Sequence, residues 1–258
     1  MALSVSQKAP QWGAFFVVWL LAGAALADSC SQPGAGDPVV SRHVIDGDTL
    51  DLVDGRRVRL IGINAPEIGR SGKPSEPYAQ KARVGLERLA GEDGLRLVIG
   101  VEPKDRYGRT LGHLFDVRGA NIEGQLLRGG MGFAIGIAPN LALLDCHLGL
   151  EARARGERLG VWSQVPVMRA ADIRAGGFHL IRGRVVTVER AGRYVWVGMD
   201  GPLTLRLTDV GSGRFGGVDS WPGRQLEVRG WVVDRQSRRR GHKRFMLPLL
   251  EPRMVNVE

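Results

Sequence analysis

From Val39 onward the chain alternates apolar and polar residues in short runs, the period of strands with one buried face. Val39 to Ile45 reads as one strand. Thr49-Leu50-Asp51-Leu52-Val53 alternates, Asp54-Gly55 carries hairpin chemistry, and Arg57 to Ile63 alternates again. The period then changes. In "SEPYAQKARVGLERLAG", Tyr78, Ala82, Leu86 and Leu89 recur on one helical face, with Ser75 as the expected cap, Pro77 in the first turn and Gly91 as the stop. Leu95 to Val101 and Arg109 to Val117 return to strand patterning. Asn121 to Gly130 reads as a short helix. Pro139 to Gly160 reads as a longer one, carrying Leu141, Leu144, Leu148, Ala152, Arg155 and Leu159 and ending in "GVWS", Gly160 to Ser163. Three strands, a helix, two strands and two helices predict a mainly β fold: a five-stranded barrel of the oligonucleotide-binding (OB) type with helices packed outside it.

After Pro166 the helical signal fades. "IRGRVVTVER", "RYVWVGM", "LTLRLTDV", "QLEVRGWVVD" and "RFMLPLL" are five alternating runs separated by glycines and turn residues. They predict a second small OB-like β-barrel. The expected organisation is a linker over 28–38, a first domain over 39–163, a linker over 164–177 and a second domain over 178–258.

The first residues read differently. Lys8 precedes an uncharged run, Trp12 to Ala27, that closes on Ala25-Leu26-Ala27. This is the form of an export signal over 1–27; an uncleaved membrane anchor is the alternative, for which the run is short. Cleavage leaves no stable membrane anchor and a periplasmic or secreted protein. Cys30 and Cys146 are the only cysteines. In an oxidising compartment a disulfide between them is the expectation, with two separate thiols as the alternative. Neither lies in a CxxC pair, which argues against zinc.

The formal net charge is +9, and lysine occurs only at positions 8, 73, 81, 104 and 243, so arginine carries most of the positive charge. Arginine suits bidentate phosphate contacts, though compositional bias toward arginine explains the same excess.

Candidate chemistry begins at "VIDGDT", where Asp46 and Asp48 flank Gly47. Alone this is a turn. "RLIGINAPE" follows, setting Arg59 on a strand and Asn64, Ala65 and Glu67 just past it; "DRYGR" then supplies Tyr107 and Arg109. Taken singly, Arg59 pairs with Asp51, Arg109 caps a strand and Glu67 is a solvated loop residue. Together, with "GVWS" at the end, the order and spacing resemble the staphylococcal nuclease (thermonuclease) family over about Val39 to Ser163, nearly half the chain.

The resemblance implies a phosphodiester hydrolase, an endonuclease of the micrococcal type. It implies Asp48 as the principal carboxylate ligand of Ca2+, Asn64 and the Ala65 carbonyl as further ligands, and Asp46 as outer support. Glu67 is implied as general base or orienter of water, Arg59 and Arg109 as phosphate clamps, and Tyr107 as a contact to the bound nucleotide. The implied function is exported, calcium-dependent cleavage of DNA and RNA by a monomer, favouring single strands and leaving 3'-phosphate ends. Two departures matter. The family carries aspartate where this chain has Asn64, which removes a charge beside the cation. The family's tyrosine-rich stretch before the last helix is "GFAIGIAPN" here, which weakens base stacking.

Two other readings stand beside this one. The first is a non-enzymatic nucleic-acid-binding module of the envelope, favoured by Asn64 and opposed by Glu67, Arg59 and Arg109. The second is an envelope scaffold using both barrels for protein contacts. In the second barrel, Arg182, Arg184, Arg193, Arg206, Arg224 and Arg238 to Arg240, with Trp196 and Trp231, read as a nucleic-acid groove or as a solvated face over core tryptophans. His113 alternates within a strand and reads as structural.

Overall fold

The alternating runs become strands because each sends one face into a shared core. In the computed structural model, residues 30, 34–91, 94–208, 213–236 and 242–258 are described. The export signal expected over 1–27 and the arginines at 238–240 lie outside them. The first half of the chain forms β1 (Asp37–Val39), β2 (Ser41–Asp46), β3 (Thr49–Leu52), β4 (Arg57–Leu60), β5 (Ile63–Asn64), β6 (Leu95–Lys104), β7 (Thr110–Phe115) and β8 (Phe133–Ala134). The main sheet runs β1-β6-β7-β4-β3-β2, with β4 and β7 parallel and the other pairs antiparallel. Residues 37–46 thus pair with β6 at their start and with β3 at their end. One stretch of chain, interrupted at Val40, meets both edges of the sheet and curls it toward a barrel.

The second half forms β9 (Val167–Arg169), β10 (Gly177–Ala191), β11 (Tyr194–Met199), β12 (Leu203–Thr208), β13 (Gln225–Asp234), β14 (Phe245–Leu249) and β15 (Val255–Val257). Here β10, β11, β12, β14 and β13 pair in that order, and β13 pairs back onto β10, closing a five-stranded barrel. The third and fifth barrel strands, β12 and β14, are parallel, as β4 and β7 are in the first half. Both halves therefore follow the OB order of strands.

Three helices pack on the first barrel: α1 (Ala79–Ala90), α2 (Ile122–Arg128) and α3 (Leu144–Gly156). Leu86, Ile122 and Leu126 bury against Leu50, Leu60, Leu97 and Phe115. Cys30 and Cys146 are disulfide-bonded, Cα to Cα 5.7 Å, which ties the stretch before β1 to α3. Among the described residues no helix is long and apolar enough to cross a membrane.

Several elements begin later than the pattern implied. α1 starts at Ala79, not beside Ser75, because Tyr78 sits at φ 70°, outside the helical region. Ser75 Oγ instead accepts from Gly69 N at 3.1 Å. α3 starts at Leu144, because Asn140 is captured by the far end of β6: its Oδ1 accepts from Glu102 N at 2.9 Å and its Nδ2 donates to Glu102 O at 3.0 Å. The run from Arg57 to Ile63 breaks into β4 and β5 at Gly62, φ 85°, where a Cβ would lie 2.2 Å from His147 Nδ1. Residues 167–173, read as part of a linker, supply β9 and bury Ala170 and Ile173 in the second core.

His113 and His147 belong to a buried network. His147 Nε2 pairs with Asn121 Oδ1 at 2.8 Å, Asn121 Nδ2 donates to Glu123 at 2.6 Å, and Glu123 meets His113 Nδ1 at 3.0 Å. Burial, and then the neighbouring His113, push the His147 imidazole down to about 3. Between that value and its ordinary 6.5, the unfolded chain takes up a proton that the folded chain refuses. This contribution to stability is complete above the unfolded value and is lost as pH falls. The melting temperature is expected to drop on acidification below neutrality, and less steeply in His147→Gln; identical pH slopes in the two proteins would refute the assignment.

Candidate active site

The turn between β2 and β3 explains its own glycine. A Cβ on Gly47 would lie 2.5 Å from that of Ala82 on α1 and 2.6 Å from that of Ala65, so only glycine lets the turn seat between them. That seating aims Asp48 inward. Its Oδ2 accepts from Ala65 N at 2.8 Å and lies 3.0 Å from Arg59 Nη2, while its Oδ1 accepts from Thr49 Oγ1 at 2.9 Å. Asp46 Oδ1 accepts from Asp48 N at 3.1 Å, which holds the two aspartates in one turn. Burial pushes the Asp48 carboxyl up to about 6, Arg59 opposes the rise and the charge of Asp46 adds to it.

Arg59, from β4, is more engaged than a free phosphate clamp. Nη1 donates to Leu60 O at 2.5 Å and to Ile63 O at 2.8 Å, and Nη2 donates to Asn64 Oδ1 at 3.4 Å beside Asp48. The same guanidinium therefore fixes Asp48 and Asn64 relative to each other. Arg109, at the start of β7, is held differently. Asp105 Oδ2 accepts from its Nε at 2.7 Å and Asp105 Oδ1 from its backbone N at 3.0 Å. Among the described residues no hydrogen bond engages its two terminal amino groups. Asp105 is absent from the sequence-based site; its signal is the turn Asp-x-x-Gly, with Gly108 at φ 81°, one residue before the arginine. Tyr107 stands 69% exposed with Arg106 4.7 Å and Arg109 5.7 Å from its ring.

Glu67 rides on a loop closed by its own backbone. Glu67 N donates to Glu76 Oε2 and Glu76 N donates to Glu67 O, each at 2.9 Å. Partial burial, then Asp46 and Glu76, raise its carboxyl above the usual glutamate value. That is the direction a general base near neutrality needs.

Asp46, Asp48, Arg59, Asn64, Glu67, Tyr107 and Arg109 all line one open cleft of ≈ 1520 Å³. Ala65 is buried behind Asp48 and does not line it. The volume exceeds the roughly 300–1,000 Å³ of small-molecule pockets, which suits a polymer. The side-chain oxygens of Asp48 and Asn64 are a hard set suited to calcium or magnesium. Among the described residues no three His, Cys, Asp or Glu side chains gather as a metal group. A cation there would thus lean on one carboxylate, neutral oxygens and Asp46 nearby.

The second barrel reaches this cleft. Trp231 on β13, 41% exposed, lines it beside Ile135, Ile137 and Asn140 of "GFAIGIAPN". Its ring lies 5.2 Å from Phe178, which lies 5.7 Å from Phe133, which lies 5.4 Å from Trp162. Arg229, two residues earlier, donates to Glu151 on α3 at 2.6 Å and to Ala134 O at 3.0 Å. Trp231 sits on a barrel that its sequence pattern assigns to a separate groove, and no local signal places it at the cleft.

The family model described as staphylococcal nuclease homologue matches residues 57–164. Thermonuclease of Staphylococcus intermedius is 39% identical over 83 residues, 31% of this chain and 49% of that protein. Protein ParB of Escherichia coli is 35% identical over 133 residues, 47% of this chain and 70% of that protein. Thermonuclease of Staphylococcus hyicus is 30% identical over 124 residues, 47% of this chain and 73% of that protein. The match to the S. intermedius protein thus spans about half of that protein's length. With the OB order of strands and the motifs gathered in one cleft, the chain belongs to the staphylococcal nuclease family.

Proposed function

We propose that this protein is an endonuclease that hydrolyses phosphodiester bonds of DNA and RNA, preferring single strands and leaving 3'-phosphate ends. The observation that supports it best is the convergence of Asp48, Glu67, Arg59 and Arg109 from separate segments onto one polymer-sized cleft. Arg109, with its terminal amino groups uncommitted among the described residues, binds the phosphate as charge builds at phosphorus. Arg59 holds Asp48 and Asn64 in register and commits both terminal amino groups, which leaves only its Nε for the same phosphate. Glu67 accepts the proton of the attacking water, or orients it. Asp48, Asn64 and the Ala65 carbonyl would hold calcium, with Asp46 behind them; bound there, calcium supplies charge relief on the phosphate. The relatives named thermonuclease support the reading, and the uncharged run ending in Ala25-Leu26-Ala27 supports export to the periplasm or beyond.

The test is cleavage of denatured DNA by the chain from Asp28 onward, with calcium, with magnesium and with chelator. Calcium-dependent cutting is expected, and Asn64→Asp, which adds a carboxylate, should reach half-maximal rate at lower calcium. No cleavage with any metal would leave the nucleic-acid-binding reading instead.

Trp231 takes the place of the stacking side chains that "GFAIGIAPN" lacks. Stacking of one base on an aromatic ring is worth about 1–3 kcal/mol. Trp231→Ala is therefore expected to raise KM for single-stranded DNA about 10-fold, with kcat little changed. Equal KM values would show that the ring only packs on Phe178.

A further inference from the structure

We infer that the outer face of β11 and β12 is a second site for single-stranded nucleic acid, distinct from the cleft. Choosing a polynucleotide over other polyanions rests in part on the proposed nuclease activity.

Val195, Val197 and Met199 of β11 and Leu203, Leu205 and Leu207 of β12 are buried in the barrel. Alternation therefore turns Tyr194, Trp196 and Arg206 outward. The register sets Trp196 opposite Arg206, and the Tyr194 and Trp196 rings lie 6.0 Å apart. Arg193 lies 5.2 Å and Arg206 5.1 Å from the Tyr194 ring, and Arg235 lies 5.7 Å from the Trp196 ring. Neither β11 nor β12 contributes a residue to the cleft.

What marks this face is arginines without carboxylate partners set beside two aromatic rings. Several arginines elsewhere meet carboxylates: Arg182 pairs with Glu227 at 3.0 Å, Arg190 with Asp219 at 2.8 Å and Arg244 with Asp234 at 2.7 Å. Among the described residues Arg193, Arg206 and Arg235 have no carboxylate partner. Among the described residues Glu189, which the register sets opposite Trp196, makes no ion pair with them. The Nε groups of Arg206 and Arg235 are enclosed and without hydrogen-bond partners among the described residues. Arg235 is held below the usual arginine value by burial and then by the charge of Arg206. Gathering like charges around two aromatic rings is unfavourable in isolation. It becomes favourable when phosphates neutralise the guanidinium groups and bases stack on the rings, as on other small barrels that hold single strands. Of the groove residues the sequence nominated, Arg182 is neutralised and Trp231 belongs to the cleft; Arg184 and Arg224 each spend their Nε on a backbone carbonyl, whereas Arg235 spends one Nη2 hydrogen on Lys243 O at 2.7 Å.

The experiment measures binding of a labelled oligo(dT) of roughly 30 nucleotides to the full chain carrying Glu67→Gln, in chelator, so that nothing is cut. In that background Trp196→Ala is expected to weaken binding about 10-fold and Trp196→Phe to restore most of it. Arg206→Ala should reduce the salt slope by about 0.7, the loss of one phosphate contact on a single strand. With Glu67 intact, cleavage of a very short substrate should be unchanged in Trp196→Ala. Unaltered oligo(dT) affinity in both Trp196→Ala and Arg206→Ala would overturn the inference. So would a loss with Arg206→Ala that heparin shows equally, with no effect of Trp196→Ala, since that is a general polyanion patch. Binding is read without cleavage, so an inactive wild type would remove the nuclease reading and leave this site to be judged alone.

Discussion

Glu67→Gln is expected to lower the rate of phosphodiester cleavage by about 10²–10⁴-fold, the usual contribution of a positioned proton acceptor, while single-stranded DNA still binds. Glutamine keeps the size and the backbone bonds to Glu76 that close the loop, so the cleft survives the change. It cannot take a proton. Because the base works only when ionised, wild-type activity rises with pH through the Glu67 value, which partial burial, Asp46 and Glu76 set above that of an ordinary glutamate. The variant should lose that acid limb. Arg109→Ala is expected to cost kcat by about 10²–10³-fold through lost stabilisation of the phosphate. A Glu67→Gln enzyme that keeps near wild-type kcat and the same pH profile would remove Glu67 from the chemistry.

Arg229→Leu should destabilise the fold by about 3–5 kcal/mol, the cost of stranding one partner of a buried ion pair. The Arg229 and Glu151 side chains are 12% and 4% exposed and meet at 2.6 Å. Glu151 also accepts from Ala134 N at 2.8 Å, so one carboxylate joins α3, β8 and the second barrel. Burial raises Glu151 and Arg229 holds it back. Without the arginine, the folded value rises further above the unfolded one, so stability is retained at low pH and lost as pH rises. The melting temperature is thus expected to fall by roughly 10 °C at neutral pH, with a smaller deficit in acid, and Glu151→Gln added to Arg229→Leu should recover part of it. Thermal melts at two pH values read all of this. Equal melting of Arg229→Leu and wild type at neutral pH would mean that the pair contributes little and that apolar packing through Ile135, Leu144 and Phe178 holds the halves together.

The sequence by itself determined both barrels, because a period of two is a local property and survives wherever the strand is placed. Runs such as "RYVWVGM" and "LTLRLTDV" became β11 and the described part of β12 with the expected faces inward. The order and spacing of its motifs, through the family they resemble, also grouped Asp48, Asn64, Glu67 and Arg109, and all four line one cleft. Other features depended on partners far along the chain. Ser75 carries the composition of a helix cap, yet the left-handed Tyr78 excludes it from α1 and it closes the Glu67 loop. Arg59 reads as a free clamp, yet the carbonyls of Leu60 and Ile63 take one of its amino groups. Trp231 reads as part of a separate groove, yet Arg229 reaches Glu151 across 78 positions of sequence and brings that face of β13 to the cleft. No local pattern encodes these contacts. Each arises only when burial forces a polar group to find a partner, and the partner's place is set by the tertiary fold.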